Sequence, residues 1–162
     1  MKTQPIKRRE ELKILSREHH FGLLFCWKIR TGIKLNVATA RLRSYLDYFW
    51  ENHLKDHFLN EEVLLFRLDE PVCNQAKADH QAIRNQIEHI NAVENDNIDA
   101  FSVLTDMLVE HIRFEERIAF PVLEEKIPEP TLREISLFLE KDHAEEFKDD
   151  YKDEFWIKPK DG

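Results

Sequence analysis

Glycine and proline are scarce in this sequence, and their positions divide it into a few long uninterrupted segments. The chain has three glycines and six prolines, and neither type occurs between residues 33 and 70 or between residues 72 and 120. Sheets and their turns normally require more glycine, whereas long helices do not. Apolar residues recur in these segments with a helical period. The predicted helices cover residues 8–31, 37–68, 72–94, 98–126 and about 130–148.

These segments predict an all-α protein in which four long helices form an up-down-up-down bundle with a short additional C-terminal helix. We expect a single domain over residues 1–162, because no repeat and no Gly/Ser linker divides the chain. The bundle is expected over about residues 8–126. The acidic tail over residues 149–162 is expected to be solvated, and packing of Phe155 and Trp156 on the bundle or against a partner is the alternative. Asn36 is expected to cap the second helix.

Charge and cysteine content narrow the function classes. The formal net charge of −8 argues against a nucleic-acid partner, since phosphate backbones bind basic surfaces. The most apolar run, FGLLFCW, is far shorter than the about 20 residues of a membrane helix, and the first 13 residues do not resemble a signal peptide. Cys26 and Cys73 form no CxxC pair and are interpreted as free thiols. A cytoplasmic protein with neither a membrane nor a nucleic-acid partner is predicted.

Histidine occurs on the apolar faces of all four long helices, and glutamate accompanies it on the second and fourth. The candidates are His19 and His20 in the first helix, His53, His57 and Glu61 in the second, His80 in the third, and His111 and Glu115 in the fourth. Residues four apart in a helix share a face, so each His–Glu pair points into the same space. His19 lies nearer the centre of its apolar stripe than His20, which favours His19 slightly, and both remain candidates.

A metal site explains this set better than a structural role does. A single histidine on an apolar face is more often a hydrogen-bonded core residue than a ligand. A buried carboxylate is harder to explain, because an unpaired buried ion costs several kcal/mol. Metal ions neutralise carboxylates and use imidazole lone pairs. A nitrogen and oxygen donor set without thiolate indicates iron or manganese, and zinc less specifically.

Four motifs together resemble the hemerythrin-like family of HHE cation-binding domains. They are REHH at 17–20, HFLNEE at 57–62, DHQAI at 79–83 and HIRFEERIAFP at 111–121. The resemblance covers about residues 8–126. It implies a four-helix bundle around a non-haem, usually oxo-bridged di-iron centre that binds dioxygen or related small molecules. Members of the family are linked to oxygen carriage, oxygen or redox sensing, nitric oxide responses and iron homeostasis.

The resemblance also implies a ligand set. The implied metal ligands are one of His19 and His20, together with His57, Glu61, His80, His111 and Glu115. Among these, Glu61 corresponds to the bridging carboxylate of the family.

Two departures from the oxygen carriers affect this set. Those members have HxxxH on the third helix, whereas the second position here is Arg84, which carries a fixed charge and cannot ligate. On the fourth helix HxxxE replaces HxxxxD. His53 is a candidate for an additional ligand or for a residue behind the ligands, and a role at the flank of the helix is the alternative. His89 and His143 are expected at the surface.

The expected function is binding or sensing of dioxygen, nitric oxide or redox state, or handling of iron. The expected ligand is a small diatomic molecule or peroxide, and a protein partner is left open. Turnover of a substrate is not expected to be the main role. One alternative is a di-iron enzyme that consumes peroxide or nitric oxide, with Arg84 stabilising a bound anion. The other is a metal-stabilised or zinc-holding module for protein interaction.

Overall fold

The computed structural model describes residues 8–92, 97–143 and 147–159, and within these ranges the regular secondary structure is helical without any strand. The predicted all-α class is therefore confirmed. After a 3₁₀ turn at Glu10–Leu12, the α-helices are α1 (Lys13–Lys34), α2 (Thr39–Phe49), α3 (Lys55–Leu64), α4 (Pro71–Ala92), α5 (Ile98–Phe114), α6 (Phe120–Lys126) and α7 (Glu129–Asp142). Two π-helical segments, Trp50–Leu54 and Glu115–Ala119, join α2 to α3 and α5 to α6 without a break.

Proline and asparagine set several limits of the helices. Pro71 is the first residue of α4, where its missing N–H has no intrahelical partner to lose. Ile127 precedes Pro128 and has an extended backbone, so α6 ends before it. The prediction that Asn36 caps the second helix is wrong, because Ala38 precedes α2. Asn36 lies in the turn after α1 with φ of 55°, a left-handed conformation that asparagine tolerates.

Two apolar clusters fill the interior of the described structure. The larger one includes Phe25 and Ile83, and the smaller one includes Leu15 and Ala76. On α1 the polar residue 19 falls between Leu15 and Phe25, and on α4 the polar residue 80 falls between Ala76 and Ile83. The residues predicted as ligands therefore form a polar layer between two apolar layers.

Helix packing surrounds this layer. The helix α5 packs against both α1 and α4, and α7 packs against α1 and the 3₁₀ turn that precedes it. Within the described ranges, every helix is too short or too polar to cross a bilayer.

The C-terminal part of the chain differs from its prediction. The helix α7 ends at Asp142 rather than near residue 148, residues 147–150 are not helical, and residues 144–146 lie outside the described residues. The expectation of a solvated tail is also wrong, because Phe155 is only 1% exposed. Its ring lies so close to Gly32 that a Cβ there would come within 2.8 Å of it.

Four side chains, which we call the C-terminal clasp, hold this segment against α1 and α2: Lys28, Tyr45, Asp149 and Trp156. The buried Lys28 ammonium donates to Asp149 at 3.0 Å and lies 4.0 Å from the centroid of the Trp156 ring. The Tyr45 hydroxyl donates to the same carboxylate. Each charge of the clasp therefore has a partner of opposite sign.

Candidate metal centre

Six buried polar side chains converge in the layer between the two apolar clusters. They are His19 of α1, His57 and Glu61 of α3, His80 of α4, His111 of α5, and Glu115, the first residue of the second π-helical segment. None of the six is more than 5% exposed. The long helices thus bring together six of the residues predicted as ligands, and we call this group the candidate centre.

Helical spacing places two pairs of these residues side by side. His57 and Glu61 are four residues apart, and Nε2 lies 3.2 Å from Oε1. His111 and Glu115 have the same spacing, with 2.5 Å between Nε2 and Oε1. The other two histidines approach the same carboxylates from α1 and α4, with His80 Nε2 at 3.2 Å from Glu61 Oε1.

The candidate centre consists of two overlapping groups of donor atoms. The first is His19, His57, Glu61 and Glu115, and the second is Glu61, His80, His111 and Glu115. Within each group the four donor atoms lie within 4.8 Å of one another. Both carboxylates belong to both groups, and each has two oxygens. The arrangement is therefore compatible with two neighbouring cations bridged by Glu61 and Glu115.

The donor atoms contact one another but make no hydrogen bonds in the described structure. The Nε2 atoms of all four histidines and both oxygens of each glutamate are buried without a hydrogen-bond partner among the described residues. An unsatisfied buried polar atom costs about 1–3 kcal/mol. Eight such atoms facing one region would destabilise the fold strongly unless a cation or protons occupied it. The residues present fit a bound metal, since each offers a lone pair towards the same space.

Four further carboxylates, which we call the outer carboxylates, hold the opposite nitrogen of every imidazole. The Nδ1 distances are 2.7 Å from His19 to Glu116, 3.2 Å from His57 to Glu18, 2.6 Å from His80 to Glu62 and 3.1 Å from His111 to Asp79. A carboxylate only accepts, so Nδ1 carries the hydrogen and Nε2 presents its lone pair to the candidate centre. Such partners orient metal-binding histidines and raise their basicity.

The outer carboxylates connect the helices in a closed ring. A carboxylate of α1 contacts a histidine of α3, one of α3 contacts α4, one of α4 contacts α5, and one that follows α5 contacts α1. Each is also the direct sequence neighbour of a residue of the candidate centre. The sequence interpretation assigned no role to these four residues. An acid directly next to each of the six residues of the candidate centre is the sequence signal that points to them.

The outer carboxylates are themselves partnered towards the surface. Glu62 accepts from Arg84 at 2.7 Å, and Glu116 accepts from Ser16 at 2.6 Å and from Arg8 at 3.0 Å. Arg84, predicted as a fixed cation near the site, therefore acts through Glu62 on the Nδ1 side of His80.

The electrostatics of the metal-free centre favour protonated imidazoles. Burial alone would lower the pKa of His80, but its contacts with Glu115, Glu61 and Glu62 outweigh burial and raise that pKa to about 11. For His57, burial is outweighed by the charge of Glu61 and by Glu18, and the pKa rises to about 9. Without a cation, protons therefore occupy the positions that a metal would take.

The remaining predicted histidines lie outside the candidate centre. His20 is exposed, so of the two neighbours in α1 only His19 points inward. His53 is 4% exposed, but its Nε2 lies 3.3 Å from the backbone oxygen of Glu18 and contributes to neither donor group. Burial lowers the pKa of His53 to about 4, so its ring is neutral at pH 7.

Two surface predictions have different outcomes. His89 is exposed, as predicted. The prediction for His143 is wrong, because it is partly buried and its Nε2 lies 3.1 Å from Glu18 Oε2. The outer carboxylate of α1 therefore links α7 to the candidate centre.

The comparison with protein-family models agrees with this geometry. Comparison with curated proteins and with solved structures gives no significant match. The family model for the hemerythrin HHE cation-binding domain matches residues 12–123, which include all six residues of the candidate centre and the whole of α1 to α5. The resemblance stated from the sequence motifs is thereby confirmed, and the chain belongs to the hemerythrin HHE cation-binding family.

Proposed function

We propose that the protein holds a non-haem di-iron centre and uses it to bind or sense a small molecule such as dioxygen or nitric oxide. The observation that carries this proposal is the pair of overlapping donor groups that share Glu61 and Glu115. A site for one ion needs only one such group. We further propose that α1, α2–α3, α4 and α5–α6 run up-down-up-down around it, which would bring ligands from all four columns to one level.

The assignment of residues follows from the two donor groups. His19 and His57 would hold one ion, and His80 and His111 would hold the other. Glu61 and Glu115, which belong to both groups, would be shared between the two ions. When bound, an iron pair supplies reversible one-electron chemistry and open positions for a small ligand.

The chain itself orients the donor atoms and keeps water away from them. The outer carboxylates accept from Nδ1, which directs each Nε2 inward and makes it a stronger base towards a cation. The ring of Phe58 stacks on His80 with 3.8 Å between centroids, and Phe120 stacks on His19 at 5.4 Å. These aromatic walls exclude water from the donor atoms, which lowers the local dielectric and keeps charge changes at the centre costly.

The enzymatic alternative has less support. Consumption of peroxide would be helped by a cation beside the bound anion, and Arg84 is the residue predicted for that role. Its guanidinium pairs with Glu62, behind Nδ1 of His80, rather than facing the donor atoms. We therefore keep binding or sensing as the proposed function.

Elemental analysis tests the proposal. Protein purified without chelators is expected to contain close to two iron ions per chain, corresponding to the two donor groups. Its visible absorption should change on exposure to dioxygen or nitric oxide. The Glu61→Ala variant should lose the metal, whereas Glu88→Ala, which changes an exposed glutamate of α4, should retain it. Stoichiometric zinc, or full iron content in Glu61→Ala, would contradict the proposal.

A further inference from the structure

Two cavities lie on the same side of the candidate centre. The outer cavity has a volume of about 180 Å³, and its walls include Ile14, Phe21 and Phe147. Arg17 and Glu140, which are exposed, lie at its edge, so this cavity opens to solvent between α1 and α7.

The inner pocket is much smaller and borders the candidate centre directly. Its volume of about 10 Å³ is the space of one water-sized molecule. His19, His57 and His111 line it on one side, and Gly22 and Ile112 belong to its apolar walls. A Cβ at Gly22 would come within 2.9 Å of the Ile112 side chain, so the missing side chain helps to keep this space open.

His53 and Glu18 are the residues that both cavities share. The His53 ring lies 4.6 Å from the ring of Phe147 in the outer cavity and 6.0 Å from the ring of His57 in the inner pocket, measured between centroids. The partition between the two spaces is therefore about one side chain thick.

The His53 ring packs against the rings of Phe21, Phe49 and Phe147 but has few polar contacts. It lies in the π-helical segment Trp50–Leu54, and such widened turns occur frequently at functional sites. Its hydrogen bond within the described structure is the 3.3 Å contact with the Glu18 backbone, and its Nδ1 lies 3.8 Å from the Glu18 carboxylate. Rotation of the ring would therefore disturb few polar contacts.

The charges around the inner pocket disfavour anions. Its lining includes the carboxylate of Glu18 and no lysine or arginine. Glu61, Glu115 and the four outer carboxylates carry six negative charges, which two divalent ions and the Arg8 and Arg84 guanidiniums balance overall, so no net positive charge is left to attract an anion. An uncharged molecule enters such a pocket at lower cost than an anion of the same size.

We propose that an uncharged diatomic molecule reaches the candidate centre through the outer cavity and past the side chain of His53. This inference rests on the proposed function, because it supplies a route to a metal-holding centre. It also assigns His53 a role as a movable partition instead of an additional ligand.

Stopped-flow association of nitric oxide with the reduced, iron-loaded protein tests the route. Filling the outer cavity with Ile14→Trp should slow association by about tenfold, and removing the partition with His53→Ala should accelerate it by about tenfold. The matched control is Met107→Trp, which narrows a separate groove that borders His111 between α4 and α5. This control should leave the association rate unchanged.

Azide added to the same reduced protein tests the charge of the ligand. Azide should associate at least about tenfold more slowly than nitric oxide, although both are small enough to reach metal ions in open sites. Equal or faster association of azide would overturn the assignment of an uncharged ligand. A rate that falls in Met107→Trp but not in Ile14→Trp would overturn the route.

Xenon binding supplies a measurement that does not depend on iron. Crystals of the full chain under xenon pressure should show the gas in the outer cavity, and in His53→Ala also in the inner pocket. Ile14→Trp should remove xenon from the outer cavity. If the purified protein holds no iron, the proposed function fails, and the xenon positions alone decide the route: absence of xenon from both spaces would overturn it.

Discussion

The C-terminal clasp and the candidate centre both bury charged groups, but they differ in how these groups are satisfied. In the clasp, Lys28 pairs with Asp149 at 3.0 Å, and Tyr45 and Trp156 complete the contacts. In the candidate centre, eight donor atoms face one another without hydrogen-bond partners in the described structure. Burial removes several kcal/mol of hydration from each charge in either place.

The difference separates a structural polar cluster from a binding site. The clasp recovers the lost hydration within the chain, so it needs no further ligand. The candidate centre recovers it only for the Nδ1 atoms, through the outer carboxylates. The unsatisfied inner atoms therefore indicate where a cation belongs.

Metal removal should produce the largest effect. A ligand present at 1,000 times its Kd stabilises the folded state by about 4 kcal/mol, so a chelator should lower the free energy of unfolding by at least about that amount. Chemical denaturation with and without chelator measures this change. The double variant Glu61→Ala/Glu115→Ala should respond to neither metal nor chelator. Equal stability of the parent protein with and without metal would contradict the claim that the candidate centre, unlike the clasp, needs a cation.

Breaking the clasp should destabilise the protein without affecting the metal. Lys28→Met leaves the buried Asp149 carboxylate unpaired, and loss of one partner of a buried pair costs about 3–5 kcal/mol. Denaturation measures the cost, and elemental analysis should find the parent metal content in the folded variant. Loss of metal in Lys28→Met would show that the two regions are not independent.

The outer carboxylates should have an intermediate effect. Asp79→Asn removes the charge behind His111 Nδ1 and should weaken metal affinity by about 10–100-fold. Competition with a metal-binding dye measures the affinity. The matched control is Asp56→Asn, since Asp56 also neighbours a histidine of the candidate centre but is exposed. Similar metal affinities for the two variants would contradict the role assigned to the outer carboxylates.

Metal affinity should rise with pH. In the metal-free protein, contacts with carboxylates outweigh burial and raise the pKa of His57 to about 9 and that of His80 to about 11. These protons must leave before Nε2 can bind a cation, so affinity should increase from about pH 6 to pH 8 and binding should release protons. Calorimetry in buffers of different ionisation enthalpy measures the release. Binding without proton release would contradict the pKa directions.

The same pKa directions determine the stability of the metal-free protein. A raised pKa in the folded state stabilises the fold fully below the ordinary histidine value of 6.5, and this contribution is lost as the pH rises through about 9 for His57 and about 11 for His80. The clasp has no such loss near neutral pH, because burial and the contact with Asp149 raise the pKa of Tyr45 above its ordinary value of 10.

The smallest effect is expected at His20. This exposed side chain lies beside His19, so His20→Ala should change the free energy of unfolding by no more than about 0.5 kcal/mol. Its metal content should equal that of the parent, whereas His19→Ala should lose metal. Elemental analysis of the two neighbouring variants would contradict the account if His20→Ala lost metal and His19→Ala kept it.

Periodicity predicts which face of a helix a residue occupies, and this explains where the sequence interpretation succeeded. The four-residue spacing placed His57 with Glu61 and His111 with Glu115, and the structure gathers all four. The choice between His19 and His20 remained open, because two neighbours differ by only about 100° around the helix. Contacts between α1 and the helices packed against it decide which of the two side chains points inward.

The remaining features depend on contacts between distant parts of the chain. Glu18 meets His57 and His143, which are 39 and 125 positions away, and no local pattern encodes these distances. Similarly, the acidic composition after residue 148 predicts a solvated tail. The prediction fails because Lys28 offers Asp149 a buried partner and Gly32 leaves room for the Phe155 ring.

Anomalous diffraction at the iron edge tests the central claim most directly. Crystals of the iron-loaded full chain should show two anomalous peaks between Glu61 and Glu115, one beside the Nε2 atoms of His19 and His57 and the other beside those of His80 and His111. A single peak, peaks elsewhere in the structure, or no peak while the six side chains keep their positions would contradict a di-iron centre in this protein.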